Sequence, residues 1–197
     1  MSEDTLHKIE TNWKKFESLC SKLPYEGVNE FLEKLGQRLA ACPASSRDTQ
    51  YGCEPGGLID HALHVAGMMR KLASTYSLDI SDMSMLKVGL LHEIGKVGDL
   101  AHDYFLVQDS DWHRQKLGQY YKYNEELTKM SVSHRTLFLL QHFNIQLEND
   151  EWVAIQLAAG SHFEENRFYV GHEPSLAILL QQAKRMIVHM NSKPVAP

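Results

Sequence analysis

Residues 81–96 read Ser-Asp-Met-Ser-Met-Leu-Lys-Val-Gly-Leu-Leu-His-Glu-Ile-Gly-Lys. Met85, Leu86, Val88, Leu90 and Leu91 form an apolar run behind a Ser81 cap, and Gly95 stands where a helix C-terminus favours glycine. The pattern predicts a helix from Ser81 to Ile94 with His92 and Glu93 in its last turn.

Outward from this stretch the same periodicity recurs. On the N-terminal side Leu58, Ala62, Val65, Met69 and Leu72 mark a helix over 58–74 that starts at Gly56-Gly57 and carries His61. Leu6, Ile9, Trp13, Phe16 and Cys20 recur at steps of three and four up to Pro24. Val28, Phe31, Leu32, Leu35 and Leu39 repeat the stripe, and the Pro/Ser/Gly-rich stretch 42–57 follows as a loop. On the C-terminal side residues 99–124 keep no helical period, and their aromatic run predicts a small hairpin or an ordered lid. Three more helices follow, at about 132–143, 150–159 and 174–190. The expectation is an all-α single-domain bundle of six to eight helices, with N-terminal helices in 1–41 and the core in 56–190.

A chain of 197 residues, 43% hydrophobic, suffices for one substantial core and is short for two. No stretch reaches the roughly 18 apolar residues of a membrane span, and the first turn sequences are charged instead of forming a signal core, so a cytoplasmic protein is expected. Cys20, Cys42 and Cys53 include no CxxC pair and read as free thiols of a reducing compartment. The net charge of −5 lacks the basic excess that duplex binding uses, which argues against duplex nucleic acid as a partner. A small anion needs only a local basic patch. Eleven histidines, ten of them from His61 onward, invite a metal or acid–base reading. The plainer reading is that most sit on the surface; Met68, Met69, Met83 and Met85 are core filling. A zinc-protease motif is excluded because Lys96 stands where its second histidine is required.

Three pieces concentrate the chemistry: Pro55-Gly-Gly-Leu-Ile-Asp-His61, Leu90-Leu-His-Glu-Ile-Gly-Lys96 and Ser133-His-Arg135. An adjacent His-Glu pair can place an imidazole nitrogen and a carboxylate oxygen on one ion, completed by a histidine from a neighbouring helix. In order and spacing, the first two pieces resemble the HD superfamily of metal-dependent phosphohydrolases over roughly 56–187. HDYF at 102–105, DWHR at 111–114 and KYN at 122–124 resemble compact versions encoded by tailed phages, so a bacterial or phage-infected cell is the expected setting.

The resemblance implies that His61, His92 and Glu93 ligate a divalent ion, among manganese, magnesium, iron, nickel, cobalt and zinc. It implies that Lys96, with His134 and Arg135, binds a substrate phosphate, and that His92, Glu93, Lys96 and His134 form the catalytic set. His134 is also a candidate second-metal ligand or proton donor. Trp112, His113 and Arg114 are candidates for covering the pocket or stacking on a base, and His64 reads as a solvent-facing neighbour of His61.

Two positions depart from the family pattern. Glu93 stands where the family has aspartate, and the closing helix has no carboxylate, its family aspartate falling at Lys184. Lys184 is expected to pair with Glu93 and fill the metal position with an internal salt bridge. His142, His162, Glu164 and His189 are the candidates for a displaced ligand. The first functional expectation is a phosphohydrolase acting on a nucleotide or similar small phosphate ester. The alternative is a catalytically reduced HD domain that binds a nucleotide or a protein partner without hydrolysis. An RNA exonuclease is a third reading, disfavoured by the acidic balance, and a homodimer is left open.

Overall fold

A computed structural model describes residues 2–191. Helix α1 (Glu3–Cys20) is capped by Ser2, whose hydroxyl accepts from the Thr5 amide, and buries Phe16 and Cys20. It leads to α2 (Gly27–Ala41), which turns Val28, Phe31, Leu35 and Leu39 inward. Loop 42–56 then delivers the chain to α3 (Gly57–Tyr76), with a run of buried residues from Gly57 to Leu63. Next come α4 (Asp82–Leu91), β1 (Phe105–Val107), α5 (Asp111–Leu117) and β2 (Tyr121–Tyr123). The described chain ends with α6 (Val132–His142), α7 (Asn149–Gln156) and α8 (Ser175–Asn191). The expected all-α bundle with a small hairpin is what the structure shows.

Helix α3 packs against α4 and α8, and α7 also packs against α8. A Cβ on Gly89 would lie 2.8 Å from the Ala66 Cα, so glycine lets the α4 backbone press on α3. One apolar cluster runs from Phe16 to Ile187. Phe31 and Phe143 meet edge-on within it, ring centroids 5.5 Å apart. Each such ring buried stabilises the fold by about 1.5–3 kcal/mol. The core also holds one complete ion pair: Lys87 Nζ donates to Glu151 Oε2 at 2.6 Å, Tyr25 Oη at 2.6 Å and the Gln146 carbonyl at 3.2 Å. Every proton of that ammonium has an acceptor, which offsets the cost of burial.

Strands β1 and β2 pair antiparallel, Phe105 opposite Tyr123 and Val107 opposite Tyr121. Between them α5 starts at a Ser110 cap and stops at Gly118 in the left-handed region, with no buried residue. A seven-residue helix with no buried face leaves no apolar period, so the hairpin was legible in the sequence and its helix was not. Loop 42–56 is stitched to this insert: the Ser46 carbonyl accepts from the amides of Tyr120 (2.9 Å) and Tyr121 (3.2 Å). Among the described residues no helix is long and apolar enough to cross a membrane.

Candidate functional site

The second turn of α3 aims His61 at the end of α4, where His92 is fully buried. Helix α4 stops at Leu91, and a 3-10 turn occupies Ile94–Val97, so Glu93 lies between the two elements and not in a helical last turn. The cause is tertiary. A Cβ on Gly95 would lie 2.5 Å from the Val132 carbonyl and 2.8 Å from the Thr136 amide, and the Gly95 amide donates to Thr136 Oγ1 at 2.9 Å. Seating the Gly95 backbone on α6 draws the chain off the α4 axis and turns Glu93 into a cleft.

His92 Nδ1 is 3.0 Å from the Gly89 carbonyl, an acceptor only. The ring proton therefore sits on Nδ1, and Nε2 presents a lone pair. Burial, together with the Lys184 charge, holds the His92 pKa well below the ordinary histidine range. Burial likewise pushes His61 down to about 4, against an opposing pull from Glu93. Both imidazoles are neutral at pH 7.

Lys184, near the middle of α8, completes the group. Its Nζ donates to Glu93 Oε1 at 2.8 Å and to the Ala158 carbonyl at 2.6 Å. Lys96 Nζ donates to the other oxygen, Oε2, at 2.7 Å, with His61 Nε2 3.6 Å from the same atom. Burial alone would raise the Glu93 pKa; the Lys184 and Lys96 ammoniums reverse this and hold it well below the carboxylate range. Burial lowers the Lys184 pKa, and Glu93 opposes that shift. One carboxylate between two ammoniums and two neutral imidazoles leaves a small local excess of positive charge.

The donor atoms of His61, His92 and Glu93 lie within 4.8 Å of one another. Two buried nitrogens, His61 Nδ1 and His92 Nε2, have no hydrogen-bond partner among the described residues, and His61 faces Glu93 through its other nitrogen, Nε2. Neutral, unpaired imidazole nitrogens are suited to ligate a divalent ion. The carboxylate is not: an ammonium holds each of its oxygens, Lys184 on Oε1 and Lys96 on Oε2. A divalent ion at Glu93 would have to displace Lys184 and tolerate two cations nearby, so the set as folded does not fit one.

The cleft over this group measures ≈ 350 Å³, and Tyr104, Phe105 and Tyr123 at the hairpin line it as a wall together with Lys96 and Lys184. His134 does not line it. It is exposed on α6 and borders a separate depression with Phe138 and Trp152, because the face of α6 that meets the Ile94–Val97 turn carries Ser133 and Thr136. Arg135 is buried behind the wall, its Nη2 donating to the Thr128 carbonyl at 2.9 Å and its guanidinium 5.7 Å from the Tyr104 ring. The two residues expected to meet a ligand phosphate are thus not among those that line this cleft.

Trp112, His113 and Arg114 are also absent from the cleft lining, and among the described residues His142, His162, Glu164 and His189 do not join the donor group. His64 has a half-exposed side chain whose Nδ1 lies 2.8 Å from the Asp60 carbonyl. The sequence reading missed Gln50 and Tyr51, which line the cleft from loop 42–56. A loop without periodicity offers no signal for which of its side chains face inward.

Comparison with protein-family models, curated proteins and solved structures finds no match. The functional reading therefore rests on the chain's own residues and geometry.

Proposed function

We propose that this chain is an HD-type domain in which the Lys184 ammonium takes the place of a catalytic ion, and that its cleft binds a small phosphorylated ligand, such as a nucleotide, without hydrolysing it. The observation that carries this reading is the contact of Lys184 Nζ with Glu93 Oε1 at 2.8 Å. A tethered cation neutralises the carboxylate as an ion would, but it cannot activate a water molecule. With Lys96 it offers a local positive field for phosphate, and aromatic rings in the same lining suit a planar group.

The test combines metal analysis with calorimetry. Protein incubated with manganese and freed of excess ion is expected to hold no stoichiometric metal, and a mononucleotide is expected to bind equally well with and without chelator. A second reading, a metal-dependent phosphohydrolase, is favoured by the grouping of His61, His92 and Glu93 and by the unpaired Nε2 of His92. In that reading His61, His92 and Glu93 hold the ion, which supplies Lewis acidity, while Lys96 steadies the phosphate. About one manganese per chain, lost in His92→Ala together with chelator-sensitive phosphate release, would establish the second reading and end the first.

A further inference from the structure

Beside the cleft lies a larger chamber of ≈ 630 Å³, within the size range of ordinary small-molecule sites. The two share Gln50 and Tyr51 in their walls. Their charges are opposite. The chamber is lined by three carboxylates, Asp48, Glu54 and Asp60, against a single ammonium, Lys8. Asp60 is 5% exposed, and its carboxyl is held below the usual range: burial opposes this, but the Tyr51 hydrogen bond and the Lys8 charge prevail.

Tyr51 is the partition. Its hydroxyl donates to Asp60 Oδ2 at 2.6 Å on the chamber side, and its ring centroid is 5.3 Å from that of His61 on the cleft side. Lys8 shows what the chamber accepts: its Nζ lies 3.3 Å from Asp60 Oδ1 and 3.7 Å from Glu54 Oε1. Its side chain is 53% exposed, so water screens this ammonium and the pair is a weak one. Tyr120 and Tyr121 also line the chamber, and tyrosine ring faces attract cations.

We infer that the ligand of this protein is a phosphate ester that also carries an ammonium group, with its phosphate at Lys96 and Lys184 and its ammonium past Tyr51 among Asp48, Glu54 and Asp60. The inference rests on the anion-binding reading of the cleft and narrows its ligand class. A plain phosphate would satisfy the cleft alone and leave the acidic chamber to Lys8 and water. A ligand with charge at both ends satisfies both chambers in one orientation only, which gives specificity as well as affinity.

The experiment is calorimetric titration of the full chain with aminohexyl phosphate and with hexyl phosphate, which differ only in the terminal ammonium. Aminohexyl phosphate is expected to bind about tenfold tighter or more, the worth of one charge-assisted contact. The double variant D48N/E54Q should abolish that advantage. Glu54→Gln alone, on a half-exposed side chain, should reduce it if D48N disturbs the loop. Equal binding of the two probes by the wild-type chain, or an advantage that survives both variants, overturns the ammonium assignment and leaves the cleft reading intact. Binding of neither probe overturns both.

Discussion

Replacing Lys184 by methionine tests the central contact. Methionine approximates the volume of the lysine stem, so the change removes the ammonium with little cavity. The pair it breaks is largely buried, with side chains 13% and 12% exposed. Leaving one partner of a buried pair uncompensated costs about 3–5 kcal/mol. Lys96 remains on Oε2 and moves the cost to the low end of that range. The Ala158 carbonyl also loses its donor, which adds about 1 kcal/mol if water does not replace it. A loss of about 3–4 kcal/mol is therefore expected, a sizeable part of the roughly 5–15 kcal/mol that holds a domain together. Urea denaturation should show this as a lower midpoint at unchanged slope. Glu93→Gln in the same background should recover part of the loss, giving a coupling of about 2 kcal/mol in a double-mutant cycle. A single-variant loss below about 1 kcal/mol, or strict additivity of the two changes, would refute the claim that the ammonium stands in for an ion.

Two further outcomes follow from the same geometry. Both buried imidazoles stay neutral in the folded chain, while the unfolded chain protonates them near their ordinary value of 6.5. Their contribution to stability is therefore complete above that pH and is lost as pH falls toward 4; the His61 shift from 6.5 to about 4 alone corresponds to about 3 kcal/mol. Urea midpoints measured across that window should fall with pH, more steeply than in His61→Asn, and a slope unchanged by the substitution would contradict the assignment. Gly95→Ala should cost about 2–3 kcal/mol, since the added carbon meets the backbone of α6 at 2.5 Å and 2.8 Å. A wild-type thermal midpoint for this variant would show that the α6 contact does not set the position of Glu93.

Much of the architecture was legible because amphipathic stripes encode burial locally. The stripe of Leu6, Ile9, Trp13, Phe16 and Cys20 predicts α1, and Phe16 and Cys20 are indeed its buried members. The same logic finds α2, α3, α6, α7 and α8 to within a few residues. It extends the helix after Ser81 three residues too far, because its end is set by the seat of Gly95 on α6, a contact separated by about forty positions in the chain. It also misses α5, which buries nothing.

The candidate site divides along the same line. Residue types in the sequence draw attention to His61 and the His92-Glu93 pair, and the resemblance to the HD superfamily is what implies roles for Lys96 and for Lys184. Which of them meet is a tertiary matter. The Lys184–Glu93 pair expected through the resemblance does form, across 91 positions of chain, because α8 packs on α3 and α7. Packing likewise turned His134 to solvent and Arg135 into the wall. It also set Tyr51, from a loop without periodicity, between a cationic cleft and an anionic chamber. The sequence determined the charges this protein carries; the tertiary structure decided which of them compensate one another, because pairing depends on distances of a few ångströms that no local pattern encodes.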